Sequence, residues 1–425
     1  MSRIETIPEL IAYKRDGNEM DEGLISKVVS NIVDGSMSPV QIGAWLMACQ
    51  INGLSAKETA HLTKRMAFSG EHFVAEPDRV DKHSTGGVGD KMSLILAPLL
   101  RAAGLRVPML AGRGLAHTGG TIDKLESIPG FNTGLTLEEM ATNPCFISRQ
   151  SKQIAPADRI LYAARDVTAT VPSIGLITAS IISKKVAEGL DRLVLDVKCG
   201  KAAFMKNIDD ARTLAKSMVE VGTILEVGIV AQITEMDTPI GEMLGNSHEI
   251  VEVIECLKGR GPNDTMELVR IQAEALGVDI EPYLKDGSGL EQFKKMCIRQ
   301  GVEHSIVESL CDNPWSVLPK AKQRFTWQAP ISGWITDIDA YRLGTILLSM
   351  GAGRNHPDDA INHGAGIELL FTVGDYVKAG EPIVHLDMED YDNHHPGIGD
   401  AYTFSENPPS QSRPSRLIET IYADK

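Results

Sequence analysis

Residues 81–93 read Asp-Lys-His-Ser-Thr-Gly-Gly-Val-Gly-Asp-Lys-Met-Ser, and this segment indicates the fold of the chain. A short extended run leads into a glycine-rich loop, and an apolar helical pattern follows the loop. Glycines let backbone N–H groups approach an anion, and the amino end of the following helix adds partial positive charge. The segment is not a Walker loop, because the spacing of its glycines and lysine differs. On its own, the loop is compatible with a plain structural turn as well as with a phosphate cradle.

A second loop of the same kind follows in residues 111–123, AGRGLAHTGGTID. It comes after the β-rich run 106–110 and leads into a helical pattern from Lys124 onward. Two strand–loop–helix units on adjacent strands bring their loops together at the carboxyl edge of a sheet. Thr121 stands at the start of its helix, where residue type alone favours an ordinary N-cap over an anion donor.

Outward from these loops, β-rich and helical runs alternate, with further β-rich runs at 192–197 and 228–233. This alternation predicts an α/β domain with a parallel or mixed sheet. The first 66 residues instead show helical periodicity, with Ser36 or Ser38 and Ser55 as N-caps and a capping box from Ser55 to Glu58. A second helical stretch, 174–190, is predicted to fold back onto these helices.

The chain becomes strand-rich near Trp327, and residues 374–382 have the turn chemistry of a lipoyl-like or hammerhead module. They lack a modifiable lysine in a typical setting, so a structural appendix is favoured over a carrier. The predicted fold is a small discontinuous all-helical domain, a larger mixed-sheet α/β domain and a C-terminal strand-rich, hammerhead-like subdomain. The predicted bounds are 1–66 and 159–190 (helical), 67–158 and 191–330 (α/β), and 331–425 (C-terminal).

Composition limits the possible partners. The 425 residues carry a net charge of −15, which argues against general affinity for nucleic acid or anionic membranes. The longest nearly apolar run, 171–183, is shorter than the ~20 residues of a membrane helix, and the first residues do not resemble a secretory signal. The six cysteines form no CxxC pair, which predicts a reduced, cytoplasmic chain without a zinc ribbon or disulfide frame.

A third group of polar residues comprises Arg165, Ser180 and Lys184. Ser180 and Lys184 are four residues apart and would share one face of a helix. Such a pair is usually a solvated surface feature, but its neighbours here, including Ile177 and Ile181, are apolar. Ser180 does not resemble a nucleophile, because no arrangement of a base and an orienting group accompanies it.

Four strings together resemble the thymidine phosphorylase / pyrimidine-nucleoside phosphorylase family. They are KHSTGGVGD (82–90), GRGLAHTGGTIDKLESIPGF (112–131), YAARDVTATV (162–171) and ITASIISKK (177–185). The resemblance extends over essentially the whole chain and is strongest over residues 80–131 and 155–205. It implies a homodimeric enzyme with an active site between a helical and an α/β domain. Such enzymes split a pyrimidine nucleoside, thymidine or deoxyuridine, with inorganic phosphate into free base and an α-configured sugar 1-phosphate.

The resemblance also implies roles for single residues. Phosphate would be bound by Lys82, Ser84, Ser93 and Thr121. The base would be held by Arg165, Ser180 and Lys184, of which Arg165 and Lys184 stabilise its negative charge. His83, with a reference pKa near 6.5, would act as a general acid. No cofactor and no metal is expected, since phosphate is a co-substrate.

Several positions depart from the family pattern. Many members have serine where this chain has Ala111, and bacterial relatives often have aspartate and proline where it has Pro172 and Gly175. Some members bind potassium through backbone carbonyls, a threonine and a glutamate. The glutamate matches Glu252, but Lys91 stands at the threonine position, so its ammonium group is expected to replace the ion. Met109 matches members that prefer thymidine, whereas members that also accept uridine commonly carry lysine there.

Three alternatives remain at this point. The chain could be a broader pyrimidine-nucleoside phosphorylase that also accepts uridine. It could be an anthranilate phosphoribosyltransferase-like enzyme, although the strings do not match that group. It could also be a non-catalytic binding or signalling protein on the same fold, although Lys82, His83, Arg165 and Lys184 are all present.

Overall fold

The structure, a computed structural model, describes residues 4–114, 117–354, 356, 359–390, 397–409 and 415–423. Leu115 and Ala116, which belong to the second glycine-rich string, lie outside the described residues.

The amino-terminal part is helical. Its helices are α1 (Ile7–Arg15), α2 (Glu22–Val33), α3 (Pro39–Asn52) and α4 (Ala56–Ala67). The predicted caps are found: Ser38, not Ser36, caps α3, and Ser55 forms the predicted capping box with Glu58. These two caps provide hydrogen-bond acceptors for backbone N–H groups that the start of a helix otherwise leaves without partners.

Two later helices, α8 (Pro156–Val167) and α9 (Ile174–Ala187), complete this helical part. Ala157 and Leu161 of α8 and Leu176 and Ala179 of α9 belong to the same apolar core as α1–α4. The carboxyl half of α9 packs elsewhere, since Ile182 belongs to the core around the central sheet. Helix α9 therefore links the helical part to the α/β part.

The central sheet has the strand order β1 (Val80–Ser84), β4 (Arg192–Cys199), β5 (Gly228–Glu235) and β13 (Leu417–Ile421). β1, β4 and β5 are parallel, and β13 is antiparallel to β5. Beside this sheet, β2 (Val107–Ala111) pairs in parallel with β3 (Cys145–Arg149). The two predicted glycine-rich loops leave the carboxyl ends of β1 and β2, and they lead into α5 (Met92–Ala102) and α6 (Thr121–Leu125).

The remaining helices of the α/β part pack around these strands, most of them in one large apolar core, α10 in the core around the central sheet and α7 in a smaller cluster. They are α7 (Leu137–Thr142), α10 (Ile208–Ile224), α11 (Asn246–Leu257), α12 (Asn263–Ala275), α13 (Glu281–Lys285), α14 (Ser288–Arg299) and α15 (His304–Asp312), with a 3-10 turn at Pro314–Ser316.

The carboxyl-terminal part contains two small antiparallel sheets and α16 (Ala340–Ser349). One sheet has the order β10 (Tyr376–Val377), β8 (Gly333–Ile338) and β12 (Tyr402–Ser405), and a 3-10 turn at Ile398–Ala401 precedes β12. The other has the order β6 (Met243–Leu244), β9 (Gly366–Leu369), β11 (Pro382–Met388) and β7 (Gln323–Gln328).

The structure modifies the predicted carboxyl-terminal boundary of 331–425. Strand β13 belongs to the central sheet, where it pairs with β5. Without β13, the edge of β5 would be left unpaired. The buried Arg416 fixes the start of β13, because its guanidinium pairs with Asp264 (2.8 Å) and contacts Glu235. Conversely, β6 of the α/β part pairs with β9 in a carboxyl-terminal sheet.

None of the helices within the described ranges has the length and apolar composition that a bilayer-crossing helix requires. All six cysteines are described, and each is a buried free thiol.

Candidate active site

A cleft of about 530 Å³ opens between the helical and the α/β parts. On one side it is lined by α8 and α9, including Tyr162, Arg165 and Lys184. On the other side it is lined by the loops that follow β1 and β2. Every residue that the sequence assigned to the site lines this cleft except Ser180, and these residues are Lys82, His83, Ser84, Ser93, Thr121, Arg165 and Lys184.

The four residues predicted to bind phosphate come together at the α/β side. Lys82 and Ser84 are on β1, Ser93 is in the first turn of α5, and Thr121 is the first residue of α6. The interpretation of Thr121 as an N-cap is wrong, because Gly120 is the N-cap and makes no side-chain cap. The helix begins one residue earlier than a Thr121 cap requires, so the threonine hydroxyl is not used as a cap.

Asp90 is a residue of this wall that the sequence analysis missed. Lys82 Nζ donates to its Oδ1 (3.1 Å), and the backbone N–H of Met92, the first residue of α5, lies 3.4 Å from the same oxygen. Burial opposes ionisation of Asp90, but the ammonium groups of Lys82 and Lys198 hold the pKa of this carboxyl far below its usual value. An acid inside a glycine-rich loop was the available signal.

Arg165, on α8, lies in the opposite wall of the cleft and is hydrogen-bonded to the backbone there. Its guanidinium donates to the carbonyl oxygens of Thr170 (3.3 Å), Val171 (2.7 Å) and Leu176 (3.1 Å). These bonds fix the turn between α8 and α9. A guanidinium has five N–H donors, so this bracing leaves donor capacity toward the cleft.

Lys184 and Ser180 share one face of α9, as the spacing predicted. Lys184 Nζ donates to Asp158 Oδ2 (2.7 Å) and lies 3.3 Å from Ser180 Oγ, and it also contacts the carbonyl oxygen of Ser180. Asp158, on α8, is the second residue that the sequence analysis missed. The side chain of Ser180 does not line the cleft, and its link to the site is its contact with Lys184.

His83 lies on β1 between the two walls. Burial, together with the positive charges of Lys185, Lys184 and Lys82, holds the pKa of His83 well below its ordinary value. The ring is therefore neutral near pH 7. The expectation that His83 acts as an imidazolium acid with a pKa near 6.5 does not fit this environment, because the lysines around it disfavour a further positive charge.

A buried charged cluster lies behind the cleft and joins the two parts of the molecule. Lys185 of α9 contacts Asp81 of β1, and it donates to Glu188 Oε1 (2.8 Å) and to the carbonyl oxygen of Leu110 (3.1 Å). Burial and the negative charge of Asp81 raise the pKa of Glu188 well above its ordinary value, although Lys185 opposes this shift.

Lys91 is buried at the base of the first loop. Its Nζ donates to the carbonyl oxygens of Ile240 (3.2 Å) and Met243 (3.1 Å) and to Glu252 Oε1 (2.7 Å). Burial opposes the charge, but Glu252 and Glu249 raise the pKa of the ammonium group. These oxygens are already coordinated by Lys91, so the residues present do not fit an additional monovalent cation. Within the described residues, no cluster of three or more His, Cys, Asp or Glu side chains has the arrangement of a metal site.

Comparison with known proteins gives this cleft a context. Three family models match the chain. They are the glycosyl transferase family helical bundle domain over residues 8–70, the glycosyl transferase family a/b domain over residues 76–283, and the pyrimidine nucleoside phosphorylase C-terminal domain over residues 334–403.

Thymidine phosphorylase from Homo sapiens is 44% identical over 401 residues, which cover 88% of this chain and 83% of the human protein. The chain belongs to the thymidine phosphorylase / pyrimidine-nucleoside phosphorylase family. Pyrimidine-nucleoside phosphorylase from Geobacillus stearothermophilus is 42% identical over 398 residues, covering 89% and 91% of the two chains.

Membership in this phosphorylase family confirms the resemblance, and with it an enzyme of the pentosyltransferase class. A solved structure of anthranilate phosphoribosyltransferase from Thermus thermophilus matches with a TM-score of 0.51. It covers 71% of this chain and 98% of its own, at 17% sequence identity. At that identity the likeness shows a shared fold only, and it agrees with the predicted helical and α/β architecture.

Proposed function

We infer that this chain catalyses the phosphorolysis of pyrimidine nucleosides. The observation that carries this inference is that one cleft is lined by lysine and hydroxyl side chains from the α/β part and by the cationic Arg165 and Lys184 from the helical part. The family to which the chain belongs accounts for both sets, one for each substrate. The fold alone would not decide this, because one fold hosts several chemistries.

On the α/β side, Lys82, Ser84, Ser93 and Thr121 would hold inorganic phosphate. The amino end of α5 adds partial positive charge to this wall, because its first backbone N–H groups lack partners within the helix. Held in this way, a phosphate oxygen attacks C1′ of the sugar as the bond from C1′ to the base nitrogen breaks. The electron pair of that bond leaves with the base, and the sugar becomes oxocarbenium-like in the transition state.

On the helical side, Arg165 and Lys184 would stabilise the negative charge that the departing base acquires. Donors that are fixed before the reaction stabilise such charge without reorganising, which is the largest contribution in many enzymes. Arg165 is fixed by three carbonyl oxygens, and Lys184 is fixed by Asp158. His83, which is neutral near pH 7, would donate one N–H to the base rather than transfer a proton as an imidazolium ion.

Thymidine is the substrate that we propose as preferred, with 2-deoxy-α-D-ribose 1-phosphate as the sugar product. Met109 lines the cleft, and the family resemblance implies methionine at this position in members that prefer thymidine. A methionine offers no charge or strong hydrogen bond to a 2′-hydroxyl. The alternative is a broader enzyme that accepts uridine equally well.

An absorbance assay of thymidine, deoxyuridine and uridine, each with and without phosphate, tests this proposal. We expect phosphate-dependent release of thymine and uracil from the two deoxynucleosides, and weaker activity with uridine. Equal efficiency with uridine would favour the broader enzyme. Absence of phosphate-dependent activity with all three would refute the proposed reaction.

We propose that the chain acts as a homodimer through the outer face of the helical part. On α3, Val40 and Ile51 are 83% and 74% exposed, and Met47 lies between them on the same face. Val167 on α8, which packs against α3, is 81% exposed. Aligned apolar side chains of this size are typical of an interaction surface.

Light scattering of the wild-type protein should give the mass of a dimer. The double variant V40E/I51E should shift the measured mass toward that of a monomer. A monomeric wild-type protein would refute the proposal.

We also propose a cytoplasmic location, which the six buried free thiols support because reduced cysteines persist in reducing compartments. Fractionation of the source cells tests this, and recovery of the protein outside the cytoplasm would refute it.

A further inference from the structure

The carboxylate of Asp90 lies among the groups that would bind phosphate. Lys82 Nζ is 3.1 Å from Oδ1 and 3.5 Å from Oδ2, and the N–H of Met92 at the start of α5 is 3.4 Å from Oδ1. The side chain of Ser84, which also lines the cleft, contributes to the low pKa of the Asp90 carboxyl group. Asp90 therefore contacts Lys82 and the amino end of α5, two of the groups that would also bind phosphate, and it lines the cleft.

An acid at this position is costly for anion binding. Lys124 and Lys198 lie close by and pair with other buried acids: Lys124 with Glu249 (3.1 Å), and Lys198 with Asp196 (2.7 Å). Asp196 also lies 3.9 Å from Lys82, so Asp90, at 3.1 Å, is the nearer of the two acids beside Lys82. Asp90 therefore offsets the positive charge of Lys82, which would otherwise attract any anion. A feature that weakens anion binding in general can still improve selection among anions.

We propose that Asp90 determines which anion the cleft accepts, by accepting a hydrogen bond from an anion that carries a proton. This inference rests on the proposed function and names a specificity-determining residue for its phosphate. An ionised carboxylate has lone pairs and no hydrogen, so it can only accept. Hydrogen phosphate can donate its O–H to Asp90. Sulfate has the same size and shape but carries no proton near pH 7, so its oxygens would face the carboxylate oxygens without a hydrogen between them.

The low pKa of Asp90 supports this role, since the carboxyl group stays ionised at neutral pH. It cannot supply the missing hydrogen to sulfate. Lys82 can serve both Asp90 and a bound anion, because an ammonium group has three donors.

Calorimetric titration of the wild-type protein with two size-matched pairs of anions tests the inference. Phosphate and arsenate carry a proton at pH 7.5, whereas sulfate and selenate do not. We expect each protonated anion to bind more tightly than its partner by about tenfold or more, the contribution of one hydrogen bond to a charged group. This series needs no variant, so it remains informative if a substitution at residue 90 disturbs folding.

Asp90→Asn is the second arm, because an amide can donate to either kind of anion. Sulfate and phosphate should then bind with affinities within about threefold of each other. Asp337→Asn is the matched control: it removes one negative charge beside Lys201, and since neither residue lines the cleft, the preference should be unchanged.

The inference is overturned if the wild type binds sulfate as tightly as phosphate, or if a folded D90N variant keeps the wild-type preference. Nucleoside turnover separates this failure from failure of the proposed function. Phosphate-dependent release of thymine without anion selectivity would refute the role of Asp90 alone. If the protein neither binds nor consumes phosphate, both proposals fail.

Discussion

Among single residues, Lys184 and Arg165 are the strongest test of base recognition. We expect Lys184→Ala and Arg165→Ala each to lower kcat/KM for thymidine by about ten- to a hundredfold or more, since each removes a charge-assisted hydrogen bond that strengthens in the transition state. Lys64→Ala, an exposed lysine on α4, is the matched control and should be neutral. Steady-state kinetics on variants with wild-type circular dichroism measures this.

Near-normal activity in either folded variant would show that the residue does not bind the base. In Lys184→Ala, the buried carboxylate of Asp158 loses its ammonium partner, so a loss of stability could be mistaken for a loss of base recognition. The double variant with Asp158→Asn removes that unpaired charge, so it separates lost recognition from lost stability.

Ala111, at the end of β2, is the residue where a hydroxyl is missing. The residue lines the cleft, and a serine there could donate to phosphate. We expect Ala111→Ser to lower the KM for phosphate by up to about tenfold if no water already replaces the missing donor. The KM for thymidine should change little. Titration of phosphate at saturating thymidine in both proteins measures this. An unchanged or higher phosphate KM would mean that the hydroxyl does not reach phosphate.

At the scale of elements, Lys91 links the amino end of α5 to α11, to the segment before β6 and to the first residue of β6. Because its ammonium group already binds Glu252 and two carbonyl oxygens, we expect wild-type activity and melting temperature to be the same in potassium and in choline buffers. Lys91→Thr should lose about 3–5 kcal/mol of stability, the cost of leaving a buried carboxylate unpaired. Potassium should restore part of that loss. Potassium dependence of the wild type would contradict this account.

The cluster of Asp81, Lys185 and Glu188 connects α9 to β1, and its effect on stability depends on pH. The folded chain raises the pKa of Glu188, so it binds this proton more tightly than the unfolded chain does. The stability that this bound proton contributes is fully present below the ordinary glutamate pKa, and it is lost as the pH rises through the higher pKa of Glu188 in the folded chain. Glu188→Gln cannot ionise, so we expect its stability relative to wild type to increase from pH 5 to pH 8. Urea unfolding at both values measures this, and a constant difference would refute it.

The sequence predicted the elements well wherever the signal was local. Ser55 and Glu58 lie within one helical turn, and the strands before both glycine-rich loops are marked by their own residue types. It missed the partners that come from elsewhere in the chain. Asp158 and Lys184 are 26 residues apart on two helices, and no spacing rule connects them. For the same reason the residues of β13 were placed in the carboxyl-terminal subdomain, and the reference pKa was used for His83 although Lys184 and Lys185 lie near it in space.

For the whole molecule, the proposed phosphate and base residues lie on two different parts, so we expect the cleft to close when both substrates bind. The segments that join the parts follow α4, precede α8 and follow α9, where Gly189 has a positive φ of 68° beside the carbonyl of Val74. We expect phosphate and a pyrimidine analogue together to reduce the radius of gyration more than either alone. Small-angle X-ray scattering measures this, and identical profiles with and without ligands would count against closure.

Phosphorus NMR of the protein with thymidine and inorganic phosphate tests the central claim most directly, because it follows the phosphate itself. We expect the phosphate resonance to be replaced, in proportion to thymine release, by that of an α-configured deoxyribose 1-phosphate. We also expect Lys82→Ala to abolish this conversion. Release of thymine with the phosphate resonance unchanged would identify a hydrolase, and would contradict the assignment of the glycine-rich loops to phosphate as the attacking group.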